Sequence, residues 1–93
     1  NGPIYGIWGM QKNKMPGEFI KIFKKTFKKM ITITIPNEPN ALSAKELKKL
    51  SIIKDTIYVD NIYEALNTLS SKEKKTIVVF GSLYLIGDVL SKN

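Results

Sequence analysis

A Gly-Ser pair, Gly81-Ser82, separates an apolar β-branched run, Thr76 to Phe80, from a second apolar run, Leu83 to Leu90, spaced as a helix. A serine at such a joint can cap the helix that follows it. It can also hold an anion, together with the free N–H groups of the helix's first turn. The two roles are compatible. Lys12 and Lys14 lie in an earlier polar loop, again just after an apolar run. Their ammonium groups suit a carboxylate or phosphate. Together these residues describe a candidate site for a small anion, but they are not catalytic machinery by themselves.

The rest of the chain does not supply that machinery. It contains no histidine and no cysteine. This excludes a Ser-His pair, a Cys/His metal site and a disulfide framework. No GxxxxGK[ST] phosphate loop, GxGxxG turn or GxSxG elbow is present. General acid–base work would fall to Asp, Glu, Lys or Tyr, and no close carboxylate pair stands out. The absence of cysteine fits a reducing compartment, so a cytoplasmic location is expected. No apolar run approaches the roughly 20 residues of a membrane-spanning helix.

The 93 residues carry a net charge of +7, and every one of the 15 basic residues is lysine. Nucleic-acid readers favour arginine for its bidentate fork. The Ile-, Asn- and Lys-rich composition reads as a coding bias, and neither a nucleic-acid nor a membrane partner is expected. With 43% hydrophobic residues, the chain can bury a single modest core.

The elements that must position the site follow from periodicity. Ile4 to Trp8 reads as a short buried strand ending at Gly9. After a polar loop, Pro16 suits the first position of a helix. Phe19, Ile20, Phe23 and Phe27 recur at helical spacing, with Lys21, Lys24, Lys25, Lys28 and Lys29 on the other sides, which predicts a helix reaching Lys29. Met30 to Ile35 alternates as a strand. Pro36 to Asn40 breaks it. Ser43 and Glu46 form a capping box for a helix to about Leu50. Ile57 to Val59 is a short strand, and Asp60 or Asn61 caps a helix with Ile62, Leu66 and Leu69 on one face. Thr76 to Phe80 and Leu83 to Leu90 complete the alternation.

Four strands alternating with four helices predict an α/β fold with a mostly parallel sheet and right-handed crossovers. All strand-to-helix loops then share the carboxyl edge. That edge should gather Lys12, Asn13 and Lys14, Asn37 and Asn40, Asp60 and Asn61, and Gly81 and Ser82.

The end segment, Phe80-Gly81-Ser82-Leu83-Tyr84-Leu85-Ile86-Gly87-Asp88-Val89-Leu90, resembles the carboxyl terminus of folylpolyglutamate synthase/dihydrofolate synthase, folate members of the Mur ligase superfamily. Ile4 to Met10 is similar to a strand of that family that precedes a lysine-bearing loop, here carrying Lys14. Ile35 to Leu47 resembles its proline-rich loop and helix, and Val59 to Leu69 its short strand and helix. The resemblance implies that residues 1–93 are most of a Rossmann-like glutamate-ligase domain. This domain would be incomplete at its amino-terminal end, lacking its first strand and helix.

It further implies an ATP- and Mg2+-dependent amide ligase that joins L-glutamate to a folate substrate through an acyl phosphate. Ser82, with Gly81 and Lys14, would hold the glutamate. The loop departs from the family's frequent Asp-Lys-Asp, reading Asn13-Lys14-Met15. The amino-terminal ATPase domain of the family has no counterpart here, so the fragment alone is expected to bind neither ATP nor Mg2+ and to be inactive. A sheet short of a covering helix is expected to self-associate. The alternative is a stand-alone, non-catalytic α/β binding module.

Overall fold

A computed structural model describes residues 2–81. Strands and α-helices alternate along it: β1 Ile4–Trp8, α1 Pro16–Lys21, β2 Lys29–Thr32, α2 Ala44–Leu50, β3 Thr56–Tyr58, α3 Ile62–Thr68 and β4 Thr76–Phe80. The expected last helix, Leu83 to Leu90, lies outside the described residues.

The strands form one sheet in the order β3-β2-β1-β4. Every pairing is parallel: β1 runs beside β4 from Ile4 opposite Thr76 to Trp8 opposite Phe80, and beside β2 from Tyr5 opposite Lys29 to Trp8 opposite Thr32. β3 adds to β2 from Met30 opposite Thr56 to Thr32 opposite Tyr58. The α/β class and the parallel sheet expected from the alternation are therefore present.

Strand alternation splits the core in two. Tyr5, Ile7, Ile31 and Ile33 pack with Ile62, Ala65 and Leu69 of α3. Trp8 and Met30 pack on the other face with Ile20 of α1, Leu47 of α2, Phe27 and Ile53. Helices α1 and α2 thus cover one face and α3 the other. Right-handed crossovers require this arrangement when the chain steps outward through β2 to β3 and then returns across β1 to β4.

The helix expected to reach Lys29 ends at Lys21 instead. Beyond it the backbone tightens into turns closed three residues back: Phe23 N–H donates to the Ile20 carbonyl at 3.0 Å, and Thr26 N–H to that of Phe23 at 3.0 Å. Lys21, Lys24, Lys25 and Lys28 would repel one another at helical spacing, and isoleucine and threonine are weak helix formers. Pro16 does occupy the first turn.

The phenylalanines still face the sheet as core. The Phe80 ring centroid lies 6.3 Å from that of Trp8, 5.7 Å from Phe19, 5.4 Å from Phe23 and 5.5 Å from Phe27. These separations suit aromatic contact. Strand β2 is also shorter than Met30 to Ile35, although Ile33 and Ile35 remain buried and Ile33 N–H still donates to the Trp8 carbonyl at 2.9 Å. β3 sits one residue earlier than expected, at Thr56–Tyr58. No helix among the described residues is long and apolar enough to cross a membrane.

The capping box of α2 is fully formed. The Ser43 hydroxyl accepts from Glu46 N–H at 3.1 Å, and the Glu46 carboxylate accepts from Ser43 N–H at 3.2 Å. The helix start is tied to β2 as well, because the buried Thr32 hydroxyl donates to the Ala44 carbonyl at 2.6 Å and Ala44 N–H donates to Thr34 Oγ1 at 2.8 Å. The hydrogen bonds from the Ser43 backbone and hydroxyl, with the positive charges of Lys12 and Lys49, hold the Glu46 carboxyl below the usual carboxylate range.

A lowered folded value means that Glu46 contributes fully above the ordinary carboxylate range and loses its contribution as pH falls through the folded value. Ser43→Ala is expected to cost about 1 kcal/mol at neutral pH. The gap from the parent chain should shrink on acidification, which thermal unfolding at neutral and acid pH would measure. An equal gap at both would remove this account of the cap.

Candidate anion site at the carboxyl edge

In an open parallel sheet, ligands favour the carboxyl edge at the point where successive connections run in opposite directions. Here that point lies between β1, whose chain leaves toward β2, and β4, which arrives on the other side. Both strands end in an aromatic–glycine pair, Trp8-Gly9 and Phe80-Gly81, and the register sets the two pairs side by side. Gly9 N–H donates to the Phe80 carbonyl at 3.2 Å. Gly81 adopts φ +134°, and a Cβ there would collide with the Gly9 carbonyl oxygen. Only glycine fits on both counts. The close approach brings the end of β4 directly against the start of the first loop.

That loop carries the lysines. Lys12–Lys14 form a 3-10 turn, closed by Met15 at φ 52°, and all three turn residues are exposed. The turn is held by the neighbouring loop. Gln11 and Ala41 form an antiparallel bridge, Lys12 N–H donates to the Asn40 carbonyl at 2.8 Å, and Leu42 N–H donates to the Met10 carbonyl at 3.0 Å. Lys12 and Lys14 form no ion pair among the described residues, although the Lys12 charge acts on the Glu46 carboxylate.

Not every residue expected at this edge is available to a ligand. The Asn61 side-chain Oδ1 accepts from Glu64 N–H at 2.9 Å as the cap of α3, and Asp60 N–H donates to the Glu64 carboxylate at 3.0 Å. The Asn61 side chain and the Asp60 backbone thus serve the helix. Asn37 turns the second loop with φ 58°. Lys14 and Gly81 leave adjacent strands at the same edge, while Ser82 lies outside the described residues. The partnership of Gly9 with Gly81 goes beyond the expected edge residues. The repeated aromatic–glycine pair was the available signal.

The arrangement can receive a carboxylate or phosphate. Among the described residues no group of three acidic, His or Cys side chains stands close enough to hold a metal ion. A parallel sheet in the order β3-β2-β1-β4, with helices on both faces and a glycine-lined switch point, defines a Rossmann-like α/β domain.

Comparison with known proteins places the chain further. The family model described as dihydrofolate synthetase, C-terminal domain, matches residues 32–92. The chain belongs to that family. Among solved structures it is similar to Escherichia coli FolC in complex with ADP, with a TM-score of 0.84 and 18% identity over 99% of this chain and 22% of that one. It is similar to Mycobacterium tuberculosis folylpolyglutamate synthase, complexed with ADP and AMPPCP, with a TM-score of 0.80 and 14% identity over 96% of this chain and 23% of that one. The bifunctional folylpolyglutamate synthase/dihydrofolate synthase of Yersinia pestis, complexed with AMPPNP and a manganese ion, gives 0.82 and 14% over 98% of this chain and 22% of that one. The chain thus spans less than a quarter of each solved relative. No curated protein sequence matches it.

Proposed function

We propose that the chain is the glutamate-binding portion of an ATP-dependent, cytoplasmic ligase that adds L-glutamate to dihydropteroate or to reduced folate polyglutamates. In the proposed reaction, a folate-side carboxylate is activated as an acyl phosphate, and the glutamate amine displaces phosphate to form the amide. ATP, Mg2+ and the folate substrate would belong to the intact enzyme and its amino-terminal ATPase domain. The part assigned to this chain is to hold glutamate. Lys14 would pair with a glutamate carboxylate, and Gly81 and Ser82 would offer backbone and hydroxyl donors from the facing strand end. The observation that carries this reading is the close approach of Gly81, at the end of β4, to Gly9, where the loop bearing Lys12 and Lys14 begins, at the switch point.

Titrating L-glutamate into the isotope-labelled chain is expected to move the amide resonances of Gly9, Lys14 and Gly81. Lys14→Ala should weaken that binding about tenfold, in line with the loss of one charge-assisted contact of roughly 1.5 kcal/mol. An unmoved carboxyl edge would overturn the glutamate assignment. The chain alone should show no glutamate-dependent ATP turnover. Measurable turnover would refute the proposed division of labour.

A further inference from the structure

A second concentration of charge lies at the opposite, amino edge of the sheet. Lys28 immediately precedes β2, and Lys54 with Asp55 immediately precedes β3. Pairing of these strands brings the two segments together, with Met30 N–H donating to the Asp55 carbonyl at 2.9 Å, while Lys28 N–H anchors the first segment to the Ile4 carbonyl of β1 at 2.9 Å. Between them opens a concavity of about 630 Å³, lined by Lys24, Phe27, Lys28, Ile53, Lys54 and Asp55.

Its single acid is engaged. Asp55 is paired with Lys29, Nζ to Oδ1, at 3.3 Å. Lys24, Lys28 and Lys54 are exposed and form no ion pair among the described residues. Three unpaired ammonium groups on one hollow repel each other, and the fold gains nothing visible from gathering them. An anion in the hollow would relieve that repulsion. The buried Phe27 and Ile53 give the lining an apolar part between the cations. A surface that merely keeps the protein soluble needs neither a hollow nor an apolar lining.

We propose that this amino-edge hollow binds a small organic phosphate dianion with a flat apolar body, the phosphate meeting Lys28 and Lys54 and the body lying toward Phe27 and Ile53. The site is separate from the carboxyl-edge lysines and does not depend on the glutamate reading. The ligand is a soluble phosphate ester, not a membrane headgroup.

The test is a titration of 1-naphthyl phosphate into the isotope-labelled chain, read from amide shifts. Shifts are expected to be largest at Phe27, Lys28, Ile53 and Lys54. The double variant Lys28→Gln, Lys54→Gln should weaken binding at least tenfold, with an unchanged thermal midpoint. Lys45→Gln, which removes an exposed lysine of α2, should leave binding within twofold. Inorganic phosphate should bind at least tenfold more weakly than the ester. Binding by both anions with equal affinity would overturn the proposal, as would largest shifts at Lys12 and Lys14 or insensitivity to the double variant. Sedimentation of the chain with phosphatidylserine vesicles at low salt, abolished by the same double variant, would assign the patch to a lipid surface and so also overturn it. No sedimentation supports the soluble ligand.

Discussion

Replacing Trp8 with alanine is expected to cost about 3–5 kcal/mol, the usual range for truncating a fully buried large aromatic. The side chain is completely buried at the centre of the α1/α2 face, against Phe19 and Phe80. A domain of this size has only about 5–14 kcal/mol of stability in total. Trp8→Ala should therefore leave a chain that is unfolded in modest urea, with a large fall in the urea midpoint. Trp8→Phe separates volume from polarity. The indole N–H has no partner among the described residues, so phenylalanine removes no hydrogen bond with them and should cost only about 1–2 kcal/mol. If the two variants lost equal stability, Trp8 would not be acting through packing volume.

The second large effect is expected at Gly81. A methyl group there collides with the Gly9 carbonyl, backbone against backbone, at a φ that side chains rarely adopt. Neither partner can move without parting the carboxyl ends of β1 and β4. Gly81→Ala should cost about 2–4 kcal/mol. Gly9→Ala is the informative contrast. Its Cβ would meet Ile35 Cγ1 at 3.0 Å and Ile33 Cγ1 at 3.2 Å, side-chain atoms that can shift by a few tenths of an ångström. A cost of about 1 kcal/mol is expected there. Urea unfolding of the pair measures both. A smaller loss for Gly81→Ala than for Gly9→Ala would show that the strand ends are not pinned as described. The same substitution should also abolish the glutamate-induced shift at Lys14, since it separates the two halves of the proposed site.

Most of the fold was legible because each element carries its own local cause. Ser43 and Glu46 announced the α2 capping box, Pro16 marked the start of α1, and Ile4 to Trp8 and Thr76 to Phe80 were dense enough in apolar residues to be strands. The errors came where local periodicity and tertiary context diverged. Phe19, Phe23 and Phe27 keep helical spacing through a stretch that is turns, because the sheet needs those rings on one side whatever the backbone between them does. Ile33 and Ile35 look like strand residues because they are buried, yet β2 ends at Thr32.

The candidate site was legible only in part. Which loops share the carboxyl edge followed from the parallel sheet alone. Which two of them adjoin at the switch point required the strand order, and no local pattern encodes that. The occupation of Asn61 by its own helix was foreseeable from cap chemistry. The Gly9–Gly81 contact was not, because it is made across the whole length of the described chain.

That last contact has a consequence for how the protein is born. β1 leaves the ribosome well before β4, yet Ile4 must find Thr76. Closing so long a loop is entropically costly, and parallel pairing at high sequence separation forms slowly. During synthesis β1 therefore waits with one flank unpaired, bordered only by β2, and with the Trp8 ring lacking Phe80. The nascent chain spends that interval with its stickiest strand uncovered, the usual opening for aggregation and for chaperone capture. The proposed carboxyl-edge site is completed only once β4 has emerged and paired, so a chain that stops short of β4 would lack the site along with a strand.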